Sequence, residues 1–187
     1  YEVSDEPVFT VAISADGEYI VAGSGDDKIR VFNKESNTPL WSYTASDWVY
    51  TVSISADGQH IAAGTYGCCS DDEDNIYFFN LDSSTPVWKV SVNIPIWNID
   101  ISADGKYIVA GTYAGSYIDP KVYLWESSSS TPLWNFTADE SVRSVSISAD
   151  GEYIVASTDY REDSGGWLSG IGRVYLFDKD SSTPLWN

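Results

Sequence analysis

The chain has 187 residues, with 28 Asp and Glu against 10 Lys and Arg, for a formal net charge of −18. That balance excludes a nucleic-acid or anionic-membrane surface, since both require clustered cations to displace counterions. Hydrophobic residues make up 43% and aromatics 14%, with 8 Trp and 13 Tyr, which supplies a packed core and argues against an acidic disordered chain. No uncharged apolar run reaches the roughly 18 residues that span a bilayer. The absence of methionine, position 1 included, reads as a processed chain or a segment of a longer one.

Taken in chain order, the first predicted strands are Val8–Ser14, Tyr19–Ser24, Lys28–Asn33 and Leu40–Thr44. Each is short, β-branched or aromatic, and bounded by Gly, Asp, Asn or Pro. The same set then recurs. Ile-Ser-Ala-Asp-Gly begins at Ile13, Ile54, Ile101 and Ile147, and Thr-Pro-Leu/Val-Trp ends at Trp41, Trp88, Trp134 and Trp186. From each of the first three Trp to the next Ile the distance is 13 residues (41 to 54, 88 to 101, 134 to 147). The Asp-Gly pair suits a tight hairpin, because Asp bonds its own backbone and Gly accepts positive φ. The Pro before each Trp opens an outer strand, where a missing donor is tolerated.

Four strands repeating at about 40–50 residues make the blade of a β-propeller. The expected fold is therefore all-β, with four copies of a four-stranded antiparallel blade at 4–44, 45–91, 92–137 and 138–187. Residues 1–3 align with the second half of an outer strand. Asn187 followed by Tyr1 would restore the repeat with one residue to spare, so three arrangements fit: a four-bladed ring, two chains forming eight blades, or continuation into a longer chain. Large inner residues favour more than four blades in the ring.

The second and third strands of the first copy, Val21 to Asn33, resemble those of a WD-repeat blade. Phe32-Asn33, Phe79-Asn80, Trp125-Glu126 and Phe177-Asp178 hold the place of that family's Trp-Asp pair, while its Gly-His pair is missing from all four copies. The Pro-Leu-Trp segments are similar to propellers of the pyrroloquinoline-quinone type, a resemblance that implies an outer-strand Trp docked on the neighbouring blade. Propellers host many roles, so the fold by itself leaves function open.

His60 is the only histidine and takes the place of Tyr19, Tyr107 and Tyr153 in the other copies, which reads as a packing slot. Nucleophilic and acid–base catalysis then have little to stand on, and a non-enzymatic protein is expected. Asp100, where the other copies have Ala12, Ser53 and Ser146, is the one odd acid on an inner strand. Asp71, Asp72 and Asp74 offer oxygen ligands of the kind calcium takes, but their spacing departs from a calcium loop and a solvated acidic turn is the expected reading, with no cofactor. The adjacent Cys68 and Cys69 lack a CxxC spacing; they form either a strained vicinal disulfide or, the favoured reading, a pair of free thiols.

The copies differ most between their second and third strands, where the fourth carries Trp167. On the same face, at the start of each inner strand, stand Phe9, Tyr50, Trp97 and Arg143. This aromatic and Arg set has the composition of a recognition surface, or else plugs the top of a central channel. The expected function is an interaction or assembly module binding protein partners or further copies of itself. The alternative is a carbohydrate-binding, small-molecule or quinone-type enzymatic propeller with its site at that face. Acidity and the Asn135-Phe136-Thr137 sequon point to a secreted or cell-surface setting; a salt-adapted cytoplasm fits the acidity equally.

Overall fold

The computed structural model describes residues 5–67, 74–113, 119–159 and 172–187. Its first sheet contains β1 (Val8–Ile13), β2 (Tyr19–Ser24), β3 (Lys28–Asn33) and β4 (Trp41–Thr44). The second contains β5 (Val49–Ile54), β6 (His60–Thr65), β7 (Asn75–Asn80) and β8 (Trp88–Ser91). The third contains β9 (Ile96–Ile101), β10 (Tyr107–Thr112), β11 (Lys121–Glu126) and β12 (Trp134–Thr137). The fourth contains β13 (Val142–Ile147), β14 (Tyr153–Thr158) and β15 (Val174–Asp178), with Trp186 bridged to Leu176 where the other sheets have a fourth strand. Every sheet is an antiparallel meander in chain order. Innermost strands pack in succession, β1 on β5, β5 on β9 and β9 on β13. This is the blade architecture of a propeller.

The Ser-Ala-Asp-Gly turn closes each blade's first hairpin with one repeated network. Ser14 Oγ donates to Asp16 (2.6 Å) and accepts from the Tyr19 amide (3.0 Å), while Asp16 accepts from the Glu18 amide (3.0 Å). Gly17, Gly58, Gly105 and Gly151 all sit at φ between 70° and 75°, the left-handed region that costs glycine least. Hydroxyl donation from Ser14 and Ser148, with the Glu18 and Glu152 amides, holds Asp16 and Asp150 below the usual carboxylate range.

The same turn joins successive blades. Ala15 N donates to Ala56 O (3.0 Å), Ala56 N to Ala103 O (3.0 Å) and Ala103 N to Ala149 O (3.1 Å). A Cβ on Gly58, Gly105 or Gly151 would collide with Tyr19, His60 or Tyr107 of the preceding blade. His60 therefore fills a tyrosine slot: it stacks on Phe78 at 5.6 Å and leaves Nδ1 buried without a hydrogen bond. Asp100 is also an inter-blade tie, accepting from Ser53 Oγ (3.1 Å) on one side and from Ser146 Oγ (3.0 Å) and the Ile147 amide (3.0 Å) on the other.

At the outer edge the indole N–H groups repeat the pattern. Trp41 donates to Leu81 O (2.6 Å), Trp88 to Ser127 O (2.7 Å) and Trp134 to Lys179 O (2.6 Å), each on the next blade. The rings pack beside Phe79, Trp125 and Phe177 of that blade. All three are half-buried, because β4, β8 and β12 are edge strands with one face to solvent. Trp134→Ala should cost about 2–3 kcal/mol in chemical denaturation, less than the ~3–5 of a fully enclosed Trp, while Asn135→Ala on the exposed side of β12 should cost almost nothing. Equal losses would mean the indole contributes no docking. His60→Tyr should raise stability by up to about 1 kcal/mol, since it removes a buried nitrogen that lacks a partner; a lower melting temperature would show that the slot is specific for histidine.

Candidate recognition rim

Each inner strand carries one irregularity, and it falls at the same place in every blade. Val8 pairs with Ser24 and Thr10 with Gly23, so Phe9 is skipped. In the same way Tyr50 is skipped between Val49 and Thr51, Trp97 between Ile96 and Asn98, and Arg143 between Val142 and Ser144. These are β-bulges, which leave one residue outside the ladder and re-aim its side chain. The four positions singled out in the sequence are thus the four bulged residues.

The bulges bring them into one continuous row. Phe9 lies 5.5 Å from Tyr50, and Tyr50 lies 5.6 Å from Trp97 between ring centroids. The Arg143 guanidinium sits 4.1 Å from the Trp97 ring centre, a cation–π contact. Each bulged residue also meets the residue just after its blade's second strand. Phe9 lies over Gly25, with 3.2 Å to a Cβ built there; Tyr50 meets Tyr66 at 5.3 Å and Trp97 meets Tyr113 at 5.1 Å. Arg143 pairs with Asp159 at 2.5 Å.

Tyr66 and Tyr113 were not legible as site residues, although each follows the Gly-Thr that ends the second strand of its blade. Trp48 was missed too; it is exposed and packs on Phe9 at 5.7 Å. Trp167 lies outside the described residues, as do Asp71, Asp72, Cys68 and Cys69.

Asp74 is described, and its surroundings differ from those of a solvated acid. It is almost wholly enclosed and accepts from the Gly67 amide at 2.7 Å. Desolvation, with the Asp47 charge adding to it, pushes its carboxyl up to about 6. Among the described residues no group of three or more potential metal-ligating side chains comes together. Asp26 is the opposite case: hydrogen bonding from Arg30, together with the Ser24 hydroxyl and the Arg30 charge, holds it down at about 2. Arg30 itself is buried and donates to Ser24 Oγ at 2.8 Å.

The family model of the WD domain, G-beta repeat, matches residues 2–33, 37–74 and 130–161, more than half of the chain. The chain belongs to the WD-repeat family. Its third blade lies largely outside the matched segments, yet repeats the strands and turn network of the other three. A search of curated protein sequences finds no match. Among solved structures the WD-repeat chain is similar to Kuenenia stuttgartiensis hydrazine synthase, with a TM-score of 0.76 and 16% identity over 99% of this chain and 50% of that one. It spans about half the length of that chain, and the likeness at this identity is one of fold.

Asp74 and Asp26, the two carboxyls shifted furthest, act in opposite directions on the pH response of this WD-repeat protein. Asp74 has a folded value of about 6 against an ordinary 3.8, so the folded state prefers the protonated form. That contribution is complete below about pH 4 and lost as pH rises through 6. Melting temperature should therefore rise from pH 7 to pH 5, and Asp74→Asn should flatten that limb and stabilise the protein at pH 7 by about 1–3 kcal/mol. Asp26, held at about 2, acts the other way: its stabilisation is present above about pH 4 and lost as pH falls toward 2, a loss absent from Asp26→Asn. An Asp74→Asn profile parallel to that of the parent protein would contradict the assigned burial.

Proposed function

We propose that this protein is a non-enzymatic interaction module whose bulge-borne aromatic rim binds an extended protein segment carrying both apolar and basic side chains. WD-repeat propellers in general serve protein interaction and assembly, and here the observation that carries the reading is the coincidence of four bulges with Phe9, Tyr50, Trp97 and Arg143. A bulge repeated solely to fill a channel has no need of a different side chain in each blade. Aromatic side chains and Arg are also the residues over-represented at binding hot spots.

The rim's chemistry favours a basic partner. The one cation in the row, Arg143, is neutralised by Asp159, Asp47 lies near Asp74 behind the rim, and the chain as a whole carries −18. The half-buried Tyr and Trp rings of the row still offer edges and faces that attract Lys and Arg by cation–π contact, and the net charge steers a cationic segment on approach. A sugar ligand is less well served, because it needs an open ring face and Trp97 already meets both Tyr113 and Arg143. Catalysis draws no support from His60 or Asp100, whose contacts are inter-blade ties. A secreted or cell-surface setting is consistent with the acidity and with the exposure of Asn135 in its sequon.

Binding of a peptide panel graded in charge and aromatic content, followed by Trp fluorescence and calorimetry, tests this reading. Basic–apolar peptides should bind, more weakly as salt is raised, and Tyr50→Ala with Trp97→Ala should reduce affinity at least about tenfold, as loss of a hot spot does, with an unchanged circular dichroism spectrum. Preference for acidic peptides, or binding by oligosaccharides instead, would overturn it.

A further inference from the structure

The turn that follows the third strand of each blade offers the same hydroxyl four times. Thr38, Thr85, Thr131 and Thr183 each stand immediately before a proline, and each is exposed. The serine two residues earlier is occupied in every copy: Ser36, Ser83, Ser129 and Ser181 Oγ each accept from the threonine amide at 3.0 Å. Among the described residues the four threonine hydroxyls themselves make no hydrogen bond. The proline holds the residue before it in extended backbone. The residue after it is pinned to the blade, with Leu40 N donating to Val31 O (2.7 Å), Val87 N to Phe78 O (2.8 Å) and Leu133 N to Leu124 O (2.8 Å). The hydroxyls are thus carried on a fixed backbone, open to solvent and unengaged.

An apolar side chain shares their face. At 38–41, 85–88 and 131–134 exposure alternates, with Thr and Leu or Val outward and Pro and Trp turned in, as residues two apart in extended backbone share a side. Leu40, Val87 and Leu133 are 53%, 51% and 51% exposed. The second and third blades have a packed neighbour on both sides, so the exposure of Val87 and Leu133 owes nothing to the ends of the chain. A single exposed Leu is ordinary. Its repeated pairing with an unengaged hydroxyl on one face is what points to a covalent cover.

We infer that Thr38, Thr85, Thr131 and Thr183 are acceptor sites for O-linked glycosylation, with the sugar ring lying over the Leu or Val on the same face. Segments that combine Ser and Thr with Pro are the ones that carry O-linked sugars. In the transfer, threonine Oγ1 displaces the phosphate leaving group from the anomeric carbon of an activated donor, a nucleoside diphosphate sugar. The bond from that carbon to the phosphate oxygen breaks, the bond to Oγ1 forms, and the hydroxyl proton passes to a base of the transferase. A phosphoryl group fits the same hydroxyls badly. Glu35, Asp82 and Asp180 stand three residues before Thr38, Thr85 and Thr183, and Glu126 stands five before Thr131. Each phosphate would set roughly two negative charges beside a carboxylate, on a chain already at −18. A neutral sugar adds no charge, and its apolar ring face suits Leu and Val. These turns lie at the opposite end of the strands from Phe9, Tyr50, Trp97 and Arg143, so the inference is independent of the binding role of the rim.

Intact mass and electron-transfer fragmentation of the protein isolated from the cells that make it decide the matter. The mass should exceed that of the polypeptide by whole sugar residues, mapped to the four threonines. Thr85→Val expressed in the same cells should lose the increment at that site alone, with an unchanged circular dichroism spectrum. Enzymatic removal of the sugars should raise the fluorescence of a hydrophobic dye, and Val87→Ser together with Leu133→Ser should take away most of that rise. A bare polypeptide mass, phosphate in place of sugar, sugar confined to Asn135 or to the neighbouring serines, or a dye signal indifferent to sugar removal would each overturn the proposal.

Discussion

The structure depends on one contact repeated at each internal seam: a hairpin turn whose glycine admits the Tyr or His of the preceding blade. Gly58, Gly105 and Gly151 could carry no side chain there, and their positive φ would burden any other residue as well. Because one turn both reverses the chain and receives the neighbouring ring, blade formation and blade stacking are coupled. Between the second and third blades the Ala56–Ala103 bond at the turns, the Asp100 tie on the inner strands and the Trp88 indole bond at the outer edge fix one seam at three radii.

That inner layer explains how the row of bulged side chains is presented. Within a regular ladder the residue after Val49 would point along the sheet's own alternation; the bulge takes Tyr50 out of the ladder, and likewise Phe9, Trp97 and Arg143. Pairing each of them with the residue that leaves the second strand fixes its direction. The result changes chemistry blade by blade, from Phe9 over Gly25 through two aromatic pairs to the Arg143–Asp159 ion pair, without any change in the strands beneath.

The acidity of the chain is distributed in keeping with this design. Turn aspartates are satisfied by Ser hydroxyls and backbone amides, so most of the repeated charge is structural and stays ionised. Asp26 is neutralised by buried Arg30. Asp74 alone among the described carboxyls is pushed strongly upward, because it is enclosed beside Asp47 and has an amide rather than a cation for a partner. An acidic run in a sequence does not distinguish these three states; burial and partner do.

The repeat determined most of the fold by itself. Strand bounds in the first blade follow from Gly, Asp and Pro placement, and the His60 slot follows from comparing copies, because period and turn chemistry are local properties of the chain; the docking of the Trp came only with the family resemblance. Phe9, Tyr50, Trp97 and Arg143 were legible as a set for the same reason, being equivalent positions. What the tertiary structure alone decided is that they are bulged, that Tyr66 and Tyr113 complete the row, and that Asp100 ties three blades together instead of standing as a lone acid. It also decided that Val52 is buried and Val11 exposed, although the two occupy equivalent strand positions and differ only in having a neighbouring blade. Strand pairing is written in the order of side chains along the chain, whereas exposure depends on what packs from elsewhere.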